Sequence, residues 1–360
     1  MHPSAIGEAL RVSIVTQELR RTRPSGAPAR AAGKYPDQVE VELITLTPMQ
    51  ALGIPIALVG AVFLALGAEF QHRGVNKVDA ATGKSASTGL SVSQLLALVK
   101  RPSWVLGTLM LGLAIVFQLI SLFLAPLTVV QPLGAIALVI TSIVTARTTK
   151  TKLSRQTIRG IIFCVGGIAL FVTVAALTTS SLPIGEAQLI IVLVILAIVL
   201  VILGAAFLMF RHRFTNIFYI VGAGILFGFV ATLAKVIIDR VHTIVQRGFH
   251  LTPSDGITIF CIVGIIAAAL IGSYFVQTAY SSGPPDLVVA GLTVIDPIVG
   301  VSIGIFVLGE AATAPIWAGF VFVIAGALAA YGVFQLAMRA PHATELPGTP
   351  ASAAGAEGIQ

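Results

Sequence analysis

The chain places Asp296 in the run Val294-Ile295-Asp296-Pro297-Ile298, an ionisable side chain with apolar neighbours on both sides. In the middle of a lipid-spanning helix a carboxylate costs roughly 2.5–3.5 kcal/mol on insertion scales, so its presence calls for compensation. A bound cation, a proton or the amine of a substrate would supply it. Pro297 has no N–H to give and frees a carbonyl one turn earlier. Gln131-Pro132 repeats the pairing of a polar side chain with a proline. On this reading Asp296 and Gln131 face a central cavity, with Pro132 and Pro297 kinking their helices and Asp296 as the binding group. The structural alternative is a protonated Asp296 capped by a neighbouring hydroxyl.

Other polar residues lie in apolar surroundings. Gln118 and Gln277 precede the two proline motifs by one apolar block each; they either donate into the same cavity or serve as hydrogen-bonded glue between helices, typically worth about 1 kcal/mol or less. Lys235 either snorkels to an interface along its aliphatic stem or points inward as a substrate or counter-ion site. Glu310 closes an apolar block and is placed at an outer mouth. Asp239, Arg240 and Glu69 read as interfacial charges. The glycines inside apolar blocks, Gly319 and Gly326 among them, read as sites of close helix packing. The sequence holds no HExxH, no paired aspartates within apolar blocks, no aspartate-rich prenyl-diphosphate motif and no nucleotide loop, so neither an enzyme nor a cofactor is indicated. Cys164 and Cys261 lack metal-ligand spacing and read as packing residues.

The elements that must position these side chains follow from composition. Apolar residues make up 56% of the chain and charged ones 10%, and the mean hydropathy is +0.98, a balance that a water-soluble globule cannot bury. The apolar residues fall into blocks of about 20, the length of a helix crossing a hydrocarbon core. The fold class expected is all-α: a polytopic transmembrane bundle of about nine spans, near 49–70, 104–124, 127–146, 158–177, 187–210, 217–239, 256–280, 286–308 and 314–337. A barrel would alternate in polarity instead. Leu90 to Val99 reads as an interfacial amphipathic segment. The domains expected are a polar N-terminal tail (1–48), a first repeat (49–177), a second repeat (187–337) and a disordered C-terminal tail (338–360). The net charge of +7 sits in loops rather than in a nucleic-acid-binding patch. Its distribution favours a cytoplasmic C-terminus and an outside N-terminus.

Ala125-Pro-Leu-Thr-Val-Val-Gln-Pro132 and Ala290-Gly-Leu-Thr-Val-Ile-Asp-Pro297 share Ala, Leu, Thr, Val and Pro in register, and Gly160 to Gly167 resembles Gly319 to Gly326 in the next block of each half. The copies are an odd number of crossings apart and so run in opposite directions. Inverted repeats arranged 4+5 in this way are a device of secondary transporters.

The residues from about 50 to 337 resemble the drug/metabolite transporter superfamily. The second half resembles its EamA-type repeat through Ala279-Tyr280, Pro297, Phe306-Val-Leu-Gly-Glu310 and Gly319 to Gly326. The first half is similar to NIPA-type magnesium transporters through Leu124 to Ala135 and the pattern from Tyr219 to Lys235. Where the NIPA-type pattern has Gly-Glu in the second span, this chain has Ala114-Ile115. The resemblance implies alternating-access transport of a small polar or cationic solute in a plasma membrane, open to proton coupling. Magnesium or another divalent cation, a lipid-linked head group, and a non-transporting scaffold are the alternatives.

Overall fold

The computed structural model describes residues 48–82, 99–210, 216–246, 248, 256–282 and 284–338. Nearly all of both expected tails and of the expected amphipathic segment from Leu90 lies outside them. The described residues form helices and no strands. These are α1 (Pro48–Thr82), α2 (Pro102–Leu124), α3 (Leu127–Leu133), α4 (Ile136–Thr148), α5 (Arg155–Thr178), α6 (Glu186–Phe210), α7 (Asn216–Gln246), α8 (Gly256–Ser282), α9 (Pro285–Phe306) and α10 (Ile316–Ala337). Among the described residues nine helical segments are long and apolar enough to cross a membrane, with α3 and α4 together making the third, Leu127–Thr148. The protein is an all-α, multi-pass membrane bundle.

Local chemistry explains the breaks. Pro102 opens α2 and Pro285 opens α9, where a missing N–H is harmless. The Ser154 side chain accepts from the Thr157 N–H and starts α5, an N-cap. Pro132 stands near the end of α3, and the chain turns through Gly134 and Ala135 before helix resumes. Pro297, in contrast, lies inside α9, which runs through it unbroken. Of the two kinks expected, only the one at Pro132 interrupts a helix.

α1 packs along α2, and α7 along α8. α1 also meets α3 and α4, as α7 meets α9. α5 and α10 pack against each other, and α3 meets α9. The pairing among the first four spans therefore recurs among the last four, with α6 standing outside it against α7 and α8. Glycine makes the closest approaches possible. A Cβ on Gly167 would lie 2.7 Å from the Ala325 carbonyl oxygen, and one on Gly332 would strike the Cys164 backbone. Both cysteines are fully buried, as packing residues should be.

Candidate functional site

Asp296 lies midway along the eighth span, Asp286–Phe306, where α9 meets α7 and α3. α7 approaches it through glycines: a Cβ on Gly224 would be 3.5 Å from the Asp296 nitrogen, and one on Gly228 would be 3.1 Å from its carbonyl oxygen. One turn further along α9, Gly300 receives Gln131 of α3, whose Nε2 would lie 2.9 Å from a Cβ at that position. Gln131 is 5% exposed. The sequence-expected pair, Asp296 and Gln131, is thus brought to adjacent turns of one helix.

Two buried polar atoms at this junction have no hydrogen-bond partner: Oδ1 of Asp296, an acceptor when ionised, and Nε2 of Gln131, a donor. Buried side-chain polar atoms are paired in the large majority of cases, and leaving one unpaired costs about 1–3 kcal/mol. No hydroxyl is hydrogen-bonded to Asp296 Oδ1 as the structural alternative would have it, and the hydroxyls nearby along α9 and α7 donate to carbonyls of their own helices. Thr293 donates to the Val289 carbonyl at 2.8 Å, Ser302 to the Ile298 carbonyl at 2.6 Å and Thr232 to the Gly228 carbonyl at 2.8 Å.

The central cavity takes a different form from the one expected. A cleft of about 650 Å³ is lined by Pro132 and Pro297, yet Asp296 and Gln131 are not among its lining residues. The two prolines reach it from unlike places, Pro132 near the start of its span and Pro297 in the middle of its own. Gln131, beside Pro132, nonetheless packs on Gly300, one turn from Asp296. Gln118 is half-buried on α2. Gln277 is exposed on α8, on the same side as Ser273 and Tyr274, and this outward direction removes it from the site.

Lys235 takes the inward of its two readings, and Glu310 requires a correction. Lys235 is 2% exposed, so it does not snorkel: α7 continues well past it, and its Nζ donates to the Leu122 carbonyl at 2.7 Å and pairs with Asp239 at 3.3 Å. Glu310 is 3% exposed and lines no mouth. Its carboxylate accepts from the Leu127 N–H at 2.7 Å, the Thr128 N–H at 2.8 Å and the Thr128 hydroxyl at 2.6 Å. Burial pushes the Glu310 carboxyl up, against the opposing pull of the Thr128 and Leu127 donors and the Lys235 charge. The second half thus places a carboxylate on the positive N-terminus of α3 and an ammonium on the negative C-terminus of α2, each complementing a helix dipole. Asp239 and Arg240 are likewise not plain interfacial charges, since Asp239 is Lys235's partner and Arg240 is buried. Glu69 forms an ordinary pair with Arg73 at 2.9 Å, one turn along α1.

The same end of the bundle carries further ties. Gln50 donates to the Thr179 carbonyl, Ser121 to the Gly53 carbonyl and Gln188 to the Leu308 carbonyl. Sequence reading missed this network because its acceptors are backbone carbonyls. One signal was present: Pro126 precedes α3, which has no acidic side chain in its first turn, so its leading N–H groups need a distant partner.

No family model matches the chain, and no solved structure matches it. An uncharacterised protein of Corynebacterium glutamicum is 27% identical over 265 residues, which cover 72% of this chain and 85% of the relative.

Proposed function

We propose that the protein is a secondary transporter of the drug/metabolite superfamily, moving a small polar or cationic solute across a plasma membrane by alternating access. The observation that carries this reading is the pair of orphaned buried atoms, Asp296 Oδ1 and Gln131 Nε2, held where the broken third span meets the eighth. A binding group at mid-membrane, beside an interrupted helix, is how such carriers hold solute and coupling ion. The recurrence of one pairing pattern in both halves supports two states of similar energy. Asp296 is the group assigned to a proton or a cationic substrate, with Gln131 orienting it and the gradient driving the cycle.

The magnesium reading gains no support at the second span: Ala114 is buried against α1 and Ile115 is 62% exposed, facing away from the bundle. A scaffold needs no unpaired polar atoms in its core. The test uses proteoliposomes enclosing a pH-sensitive dye, challenged with amino acids, nucleosides, organic cations and divalent cations. The wild type is expected to move protons with one of these classes, and Asp296→Asn to abolish that flux. An Asp296→Asn protein that transports at the wild-type rate with unchanged pH dependence sinks the assignment.

A further inference from the structure

Gly319 and Gly326 of α10 differ from the glycines that let helices touch. A Cβ built on either meets nothing within 4 Å, and both line the 650 Å³ cleft between α9 and α10. Here the missing side chains keep a space open, which corrects the expectation of close packing at these two positions. The floor is Pro132 and Ala135 of the third span with Ile168 and Phe171 of α5, and the Phe171 ring meets that of Phe322 of α10 at 4.8 Å between centroids, tilted by 32°.

The chemistry of the lining is uniform. It contains no charged side chain, and its two hydroxyls, Thr293 and Ser302, donate to carbonyls of their own helix. Water held in a cavity needs two to four polar partners, and this one offers few. On α9 the lining runs from Thr293 to Phe306, ~20 Å at 1.5 Å per residue, which exceeds half of the ~30 Å hydrocarbon core. The cleft also opens sideways from the bundle: Ile298 is 55%, Val323 73% and Ile316 87% exposed. Its long axis follows helices that span the membrane, so it lies along the direction of lipid chains.

We infer that the cleft between α9 and α10 is a binding site for one hydrocarbon chain of a membrane lipid. The chain enters sideways between Ile298 and Val323 and lies over Gly319 and Gly326. With no charge in the lining, the site selects the chain and not the head group. This inference does not rest on the transport reading.

The test reconstitutes the full chain in dioleoyl phosphatidylcholine doped with a phosphatidylcholine carrying a diazirine on its acyl chain, and maps adducts by mass spectrometry after illumination. Adducts concentrated on Ile298, Phe322 and Val323, above those on the exposed α6 residues Val201 and Leu208, are expected. Gly319→Leu and Gly326→Leu should melt as wild type and lose the cleft adducts while keeping those on α6. Gly166→Leu, a substitution into open space outside the cleft, should leave both. A phosphatidylglycerol probe with the same chain should label equally. Cleft labelling no stronger than on α6, labelling unchanged by the two leucines, or labelling by a diazirine fatty acid but not by the phospholipid would each overturn the inference. Asp296→Asn should leave the labelling intact even where it abolishes transport, so the two claims fail separately.

Discussion

The Thr128 hydroxyl donates to the Glu310 carboxylate at 2.6 Å across 182 positions of sequence, and the Thr128 and Leu127 N–H groups join it on the same carboxylate. A loop of the second half thereby supplies the N-terminal cap that α3 lacks locally.

Glu310→Gln leaves one acceptor oxygen and turns an amide donor toward donors. The expected loss is about 1–3 kcal/mol of stability, the cost of an unsatisfied buried group, seen as a lower melting temperature in detergent. Thr128→Val should lose less alone and add little in the double variant, because neighbours in one network do not add.

Lys235→Met removes the ammonium from the Leu122 carbonyl and from Asp239. A hydrogen bond to a charged group is worth about 1.5–3 kcal/mol, and a destabilisation in that range is expected by thermal denaturation. Adding Asp239→Asn should restore part of it by removing the unpaired partner. A Lys235→Met protein as stable as wild type would show the contact to be idle.

The glycines separate into two behaviours. Gly167→Ala pushes a methyl against the Ala325 carbonyl and the Ala329 backbone and should cost about 1–3 kcal/mol, as overpacking does. Gly319→Ala meets nothing and should be neutral or gain up to about 1 kcal/mol from helix propensity. Melting curves of the two variants decide this.

The orientation expected from the charge distribution of the sequence puts the turn between α9 and α10 outside and that between α4 and α5 in the cytoplasm, an expectation that labelling can test. Both native cysteines are fully buried, and Thr313 and Lys152 are exposed. An impermeant maleimide added to intact cells should label Thr313→Cys at once and Lys152→Cys only after permeabilisation. The opposite order would invert the orientation.

The number of spans among the described residues and most of their limits were legible in the sequence because a 20-residue apolar run has one inexpensive structure in lipid, the helix, although α7 runs to Gln246 and not to 239. Asp296 stands out in the sequence for the same reason, as an ionisable group among apolar neighbours. Glu310 was misread because it sits at the end of an apolar block, where a charge needs no partner, while its partners belong to a distant turn; Lys235 was left open between two readings, and its burial against the Leu122 carbonyl and Asp239 decides for the inward one. Gly319 and Gly326 were misread because a glycine letter does not say whether a helix or a void stands opposite. Gln277 was misread because α8 is apolar on most of its surface, so periodicity did not fix which face turns inward.

The most direct measurement of the central claim, that Asp296 with Gln131 forms the solute site, is ligand-induced thermal stabilisation of wild type, Asp296→Asn and Gln131→Leu, screened with amino acids, nucleosides, organic cations, divalent cations and polyprenyl phosphates. A ligand at 100 times its Kd stabilises the native state by about 2.7 kcal/mol. One ligand class is expected to raise the melting temperature of wild type, with the shift lost in Asp296→Asn and reduced in Gln131→Leu. A ligand that stabilises all three proteins equally, or none that stabilises wild type, would contradict it.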